Sequence, residues 1–183
     1  MQLRIKDATP EAVDAEIAQA LETASAHGCQ LVINDYWREA IRFHADIVHL
    51  GQQDLARADL AAIRAAGIKI GVSTHSPEEL DVALAAEPDY VALGPIYHTR
   101  LKAMPWQPQG LDRIGEWRVR LQCPLVAIGG ITLERAPSVL AAGASSAAVV
   151  TDIVMSEDPG QRARDWVAAT APWRNLSTEL PRA

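Results

Sequence analysis

Cysteine is scarce in this chain. Cys29 and Cys123 are the only two among 183 residues, and neither belongs to a CxxC pair, which removes structural-zinc and dithiol-redox readings. Each lies beside an apolar stretch (Cys29-Gln-Leu-Val and Cys123-Pro-Leu-Val), the setting of buried, reduced thiols in a cytoplasmic protein. Long apolar runs are missing too: none approaches the ~20 residues of a transmembrane helix, and the opening Met1-Gln2-Leu3-Arg4-Ile5-Lys6 is too polar for a signal peptide. Nor is there an excess of positive charge. A net charge of −6 and a pI near 5.3 repel nucleic-acid phosphates and anionic membranes, so small molecules are the expected partners. If those molecules are anionic, positive charge must be gathered locally at the site. The sequence shows no internal repeat and no low-complexity segment.

The rest of the composition is that of an ordinary globular protein. Hydrophobic residues make up 49% and charged residues 22%, and a chain of this length buries roughly 70% of its unfolded surface around one core. One domain is expected over residues 1–171. The tail, 172–183, lacks an apolar period, so it is expected to pack on the outside or to be poorly ordered.

Short apolar segments alternate with longer amphipathic ones. Strands are expected at 2–6, 31–34, 47–50, 69–72, 90–94, 125–128 and 147–150. Most are near-continuous apolar runs, as in parallel strands covered by helices. Helices are expected at 11–26, after Asp35, at 55–66, from Ser76-Pro77-Glu78-Glu79 onward, at 111–120, 133–142 and 160–171. Thr9-Pro10-Glu11 combines an N-cap, a first-turn proline and an acid on the positive end of the dipole. Repeated βα units imply a parallel sheet, closed as a barrel or open and doubly wound. Polar residues collect at nearly every strand end: Lys6, Asn34-Asp35, Asp54, Ser73, Thr99, Gly129-Gly130 and Thr151. A barrel gathers such ends on one rim, which favours an α/β fold of the TIM (β/α)8 type. About seven parallel strands are counted where eight are usual, so the expected barrel is one without its first βα unit, with edges at 2–6 and 147–150 open to homo-oligomer formation.

Gln2, Arg4 and Lys6 share one face of the first strand, and Leu3 and Ile5 the other. Two cations pointing inward would demand an anion such as a diphosphate; pointing outward, they belong to a solvated edge strand. Asp35 and Asp54 follow neighbouring strands. They either share Mg²⁺, which takes one or two carboxylates plus phosphate oxygens, or cap helices. Gly129-Gly130, opening the turn after 125–128, and Val150-Thr151 after the last strand occupy the loops where barrels commonly hold a phosphate; Gly-Gly also serves tight turns. The 98–110 loop, with Thr99, Arg100 and Lys102 near its start, is either a lid over the rim or a surface excursion.

Taken in order, these pieces resemble the thiamine phosphate synthase family. They are Gln2-Leu3-Arg4-Ile5-Lys6, Asn34-Asp35, Val48-His49-Leu50-Gly51-Gln52-Gln53-Asp54, Gly71-Val72-Ser73-Thr74-His75, Gly94-Pro95-Ile96-Tyr97 and Val126-Ala127-Ile128-Gly129-Gly130-Ile131. The resemblance runs from Gln2 to about Asp158. It implies a transferase that joins hydroxymethylpyrimidine diphosphate to hydroxyethylthiazole phosphate with release of diphosphate. Arg4, Lys6 and Asn34 would hold the diphosphate, Asp35 and Asp54 the Mg²⁺, and Gln2 and His49 the pyrimidine. Ser73 and Lys102 would contact phosphate oxygens as the leaving group departs, with Thr99 beside them in the lid. Gly130 and the end of the last strand, Val150 and Thr151, would receive the thiazole phosphate. The reaction implied is dissociative: diphosphate leaves, a pyrimidine-methyl cation forms, and the thiazole nitrogen attacks it. The chain departs from the pattern at Leu101, where the lid usually carries a hydroxyl, and at Tyr36-Trp37, where arginine is common. Two other readings compete. A thiazole tautomerase-like isomerase shares the fold, but uses a histidine near the place held here by Pro95, with His98 close by. A non-catalytic relative would bind phosphorylated ligands without turnover.

Overall fold

The computed structural model describes residues 1–99 and 106–173. The chain divides into two compact units, Met1–Thr74 with Glu78–Asp89, and His75–Pro77 with Tyr90–Ala183.

In the first unit β1 (Gln2–Leu3), β2 (Val32–Asn34), β3 (Ile47–Leu50) and β4 (Lys69–Thr74) are joined by helices α1 (Pro10–Ala26), α2 (Trp37–Arg42), α3 (Gln52–Leu55) and α4 (Leu60–Ala65), and α5 (Pro77–Ala85) follows. The strands pair in parallel and in chain order, with Leu3 opposite Ile33, Asn34 opposite His49 and His49 opposite Gly71. All four residues of β3 are buried, as the continuous apolar run predicts for a strand covered on both faces. Ile17 of α1, Ile33, Val48, Leu50, Ile63 and Val72 are fully buried, each side chain contributing roughly 1.5–3 kcal/mol of transfer free energy. Thr9 caps α1 as expected, accepting the Ala12 amide at 3.3 Å.

The second unit contains β5 (Tyr90–Leu93), α6 (Gly110–Arg118), β6 (Leu125–Ile128), α7 (Ala136–Ala141), β7 (Ser146–Ala148), α8 (Thr151–Val154), α9 (Pro159–Thr170) and a 3-10 turn at Ala171–Trp173. Its strands are again parallel, β5 beside β6 and β6 beside β7. Val91, Leu93, Ile114, Trp117, Leu125, Val139 and Trp166 form its buried apolar set. Among the described residues, seven strands, parallel within each unit and each followed by helix, make this an α/β fold of the TIM-barrel type. Among the described residues, no helix is long and apolar enough to cross a membrane.

Several expected elements differ. The first strand is paired only at Gln2 and Leu3, and its partner β2 ends at Asn34. The alternation of residues 2–6 persists: Leu3 and Ile5 turn toward the core, while Gln2, Arg4 and Lys6 are exposed. The helix expected at 55–66 is two helices, since Asp59 caps a new one through the Ala62 amide at 2.9 Å. The helix expected from 133 starts at Ala136, where Pro137 sits in the first turn. The last strand is shifted to Ser146–Ala148, and the unexpected α8 begins at Thr151.

Candidate active site

In the first unit the strand ends bring Lys6, Asn34, Asp35, His49, Asp54 and Ser73 into one region. Asp35 adopts a left-handed backbone, φ 68°, uncommon for a residue with a side chain but tolerated by aspartate. Its carboxylate receives Lys6 Nζ at 2.8 Å. Asp54 and Asp35 line one cavity, and the acidity of Asp54 is weakened, first by burial and then by the Asp35 charge. Neither aspartate caps a helix: α2 is preceded by Tyr36 and α3 by Gly51, both without a side-chain cap bond. The capping alternative left open by the sequence is therefore removed.

His49 is 6% exposed. Burial holds its pKa down at about 4, against a small opposing pull from Asp35, so the ring is neutral at pH 7. Its Nε2 lies 2.7 Å from Ser73 Oγ, fixing the Ser73 hydroxyl at the end of β4. Gln52 Nε2 donates to the Ser73 carbonyl at 2.7 Å and to the Glu79 carbonyl at 3.3 Å. It ties β4 to α5, a positioning role that sequence reasoning missed although Gln52 lies inside the Gly-Gln-x-Asp motif. A cavity of about 320 Å³ opens beside the two aspartates, lined also by Trp37, Arg38 and Arg57. Arg38 is fixed over the Trp37 ring at 4.2 Å. Among the described residues Arg4 makes no hydrogen bond or ion pair, so its charge is available to a ligand. A larger cavity, about 400 Å³, is lined by Leu140, Ser146, Trp166 and Trp173 in the second unit and holds none of the expected site residues; carboxylates and cations, not size, mark the site.

The acid pair fits a hard divalent cation. Its donors are oxygens, and the mutual repulsion that weakens the acidity of Asp54 is what a divalent cation would relieve. Among the described residues no three His, Cys, Asp or Glu side chains gather as a metal cage; Mg²⁺ characteristically uses one or two carboxylates and leaves its other positions to water and phosphate.

In the second unit the segment after β5 runs along the end of β6: Ile96 and Tyr97 amides donate to the Ile128 and Gly129 carbonyls at 2.9 and 3.0 Å. Gly129 and Gly130 take φ 98° and 63°. A side chain at Gly129 would meet Pro95 Cα at 2.7 Å, and one at Gly130 would run into the His98 carbonyl. The glycine pair thus has a packing reason that the sequence did not show. Arg135 donates to the Gly130 carbonyl at 2.7 Å and lies over the Tyr97 ring at 4.4 Å. Val150 and Thr151 lie where β7 gives way to α8, Val150 exposed and Thr151 half-buried. Thr99 is half-buried at the end of the described segment. Lys102, with the rest of the lid core at 100–105, lies outside the described residues. Past that gap, Trp106 stacks on His75 with ring centroids 5.4 Å apart, and Gln109 Nε2 donates to the His75 carbonyl at 2.9 Å.

A parallel α/β chain with paired carboxylates, cations and glycine turns at its strand ends has the architecture of a phosphate-handling barrel enzyme. The family model of thiamine monophosphate synthase matches residues 1–153. The thiamine-phosphate synthase of Rhizobium etli is 60% identical over 177 residues, covering 96% of this chain and 87% of that protein. That of Salmonella schwarzengrund is 52% identical over 172 residues, covering 93% and 78%. The solved thiamine phosphate pyrophosphorylase of Pyrococcus furiosus superposes with a TM-score of 0.81 at 27% identity, over 94% of this chain and 83% of that one. A 3-hexulose-6-phosphate synthase, 20% identical with a TM-score of 0.64 over 92% of this chain and 85% of that one, shares the fold. The chain belongs to the thiamine monophosphate synthase family.

Proposed function

We infer that the chain catalyses the reaction for which its relatives are named, the formation of thiamine phosphate from hydroxymethylpyrimidine diphosphate and hydroxyethylthiazole phosphate. It is a transferase of thiamine biosynthesis and acts on small molecules. The observation that carries the reading is the pair Asp35 and Asp54 on one cavity, with Lys6 on Asp35 and, on the same strand segment, an Arg4 that has no partner among the described residues. Carboxylates and cations interleaved at strand ends suit a metal-bound diphosphate better than either charge alone.

Arg4, Lys6 and Asn34 hold the diphosphate of the first substrate, and Asp35 and Asp54 hold Mg²⁺. When bound, the metal neutralises charge on the departing diphosphate. Exposed Gln2 and the neutral, buried His49 contact the pyrimidine ring. As the carbon–oxygen bond to the diphosphate breaks, Arg4 and Lys6 take up its growing negative charge, with Ser73, held by His49, as a hydroxyl donor. Lys102 and Thr99 supply further donors from the lid. The pyrimidine-methyl cation is then captured by the thiazole nitrogen, forming the new carbon–nitrogen bond. No proton leaves the forming bond, so no general base is required. The residues assigned to the pyrimidine diphosphate fall in the first unit, apart from the lid donors; Gly130, Val150 and Thr151, assigned to the thiazole phosphate, fall in the second.

The test is calorimetric. Hydroxymethylpyrimidine diphosphate is titrated into wild type and Asp54→Ala, each with and without Mg²⁺. Tight binding only in wild type with Mg²⁺ is expected. Equal affinity in all four titrations overturns the metal assignment, and a wild type that forms no thiamine phosphate from both substrates overturns the reaction.

A further inference from the structure

Asp152 lies one residue beyond Thr151, inside the loop region assigned to the thiazole phosphate. A carboxylate there repels a phosphate unless its charge is already spent. It is spent fully. Arg162 Nε donates to Oδ2 at 2.9 Å and Nη2 to Oδ1 at 3.0 Å, a two-pronged fork. Trp166 Nε1 donates to Oδ2 at 2.7 Å, and the Leu133 backbone amide faces the same carboxyl and adds to its acidity. Those groups come from two places, the first turns of α9 and the turn that follows Gly129-Gly130. Arg162 reaches that same turn a second time, donating to Glu134 Oε1 at 3.2 Å. One carboxylate therefore fastens the loop after β6 to the loop after β7, and both to α9.

We propose that Asp152, clamped by Arg162, is the positioning residue of the thiazole-phosphate subsite, setting the spacing of the 129–134 and 150–152 loops that receive the phosphate. The inference rests on the reading of Gly130, Val150 and Thr151 as that subsite. Asp152 does not touch substrate. Both of its oxygens accept from protein donors, and its paired charge leaves the backbone amides of the two loops as the groups that meet an anion. Phosphate recognition by backbone amides depends on the loops' relative placement, and a displacement of about 1 Å is enough to forfeit it. The side-chain exposures of 11% for Asp152 and 24% for Arg162 mark the pair as largely withdrawn from solvent.

Asp152→Asn keeps the shape and loses the charge; Arg162→Lys keeps the charge and loses the fork. Hydroxyethylthiazole phosphate is titrated by calorimetry into wild type and both variants, and steady-state rates are measured with each substrate varied in turn. The expected result is a rise of about tenfold in Kd and KM for the thiazole phosphate in Asp152→Asn, and about threefold in Arg162→Lys. KM for the pyrimidine diphosphate stays within about twofold, so kcat/KM for the thiazole phosphate falls far more than kcat. If Asp152→Asn does not fold, Arg162→Lys carries the test alone. Unchanged thiazole-phosphate affinity in the folded variants overturns the proposal. So does a rise of both KM values in step with the loss of folded protein seen by circular dichroism, which marks the pair as structural only. The titration needs no turnover: a wild type that binds thiazole phosphate in an Asp152-dependent way but forms no product overturns the reaction and keeps the positioning role. A wild type that does not bind thiazole phosphate overturns the subsite and this proposal with it.

Discussion

The two units use charge in opposite ways. Around Asp35 and Asp54 the carboxylates are left under-satisfied: the acidity of Asp54 is weakened by burial and then by its neighbour, while exposed Arg4 has no protein partner among the described residues. Around Asp152 every group is satisfied. Arg162, Trp166 and the Leu133 amide outweigh the effect of burial and hold its carboxyl below the usual carboxylate range. Under-satisfied charge costs free energy that a ligand can recover; saturated charge holds a frame. Substitutions in the first region should therefore register in catalysis, and substitutions in the second in stability or in the affinity for one substrate.

The largest effect expected is on the frame. Gly130→Ala places a side chain at φ 63° against the His98 carbonyl and the Tyr97 backbone. Strain and overpacking together should cost about 3 kcal/mol or more, read as a fall in Tm of roughly 6–12 °C. A variant as stable as wild type would show that the 94–98 segment yields easily and that the glycine pair is kept for a ligand instead.

Protonation of His49 comes next. Its folded pKa of about 4 lies below the ordinary 6.5, so the unfolded chain binds the proton more readily. The stabilising contribution is complete above about pH 6.5 and is lost as pH falls toward 4, about 3 kcal/mol in all. Urea titrations of wild type and His49→Gln between pH 7.5 and 4 should converge as the pH drops. A constant difference between the two curves would mean that the ring is not buried as a neutral group.

Arg4→Ala should be the mirror image of Gly130→Ala. Its guanidinium is exposed and has no partner among the described residues, so Tm should move by less than about 2 °C. Losing a charge-assisted contact to the departing diphosphate should lower kcat/KM roughly ten- to a hundredfold. If the variant unfolds readily while its folded fraction keeps full activity, Arg4 belongs to the frame.

The same division explains what could be read from residues alone. The first region is built from side chains at strand ends, and Lys6, Asn34-Asp35, Asp54 and Ser73 were legible at those ends from the sequence, whereas His49 entered only through the family resemblance. The alternation of Leu3 and Ile5 against Gln2, Arg4 and Lys6 also survives, even though the ladder pairs only Gln2 and Leu3. The second region is built from backbone and distant partners. Nothing in Gly129-Gly130 announces that the 97–98 backbone lies against it. Nor does the α9 sequence reveal that Arg162 and Trp166 converge on Asp152, ten and fourteen residues earlier. Helix α8 was invisible for a related reason: four residues are too few to show an amphipathic period, and its N-cap, Val150, offers no side-chain signal.

The smallest expected effect sharpens the contrast within the frame itself. Arg162 bonds to two carboxylates, one 11% exposed and one 72% exposed. Water competes for the outer one and salt screens it, so the Glu134 arm should contribute little. Its acidity is strengthened first by the Thr132 hydroxyl and only further down by Arg162, and glutamine preserves an acceptor for that hydroxyl. Glu134→Gln should shift Tm by no more than about 1 °C and leave KM for the thiazole phosphate within about twofold. The measurement is thermal unfolding at low and high salt, set beside the same kinetics used for Asp152→Asn. A Glu134→Gln variant as impaired as Asp152→Asn would move the fastening point of the two loops from the buried carboxylate to the exposed one.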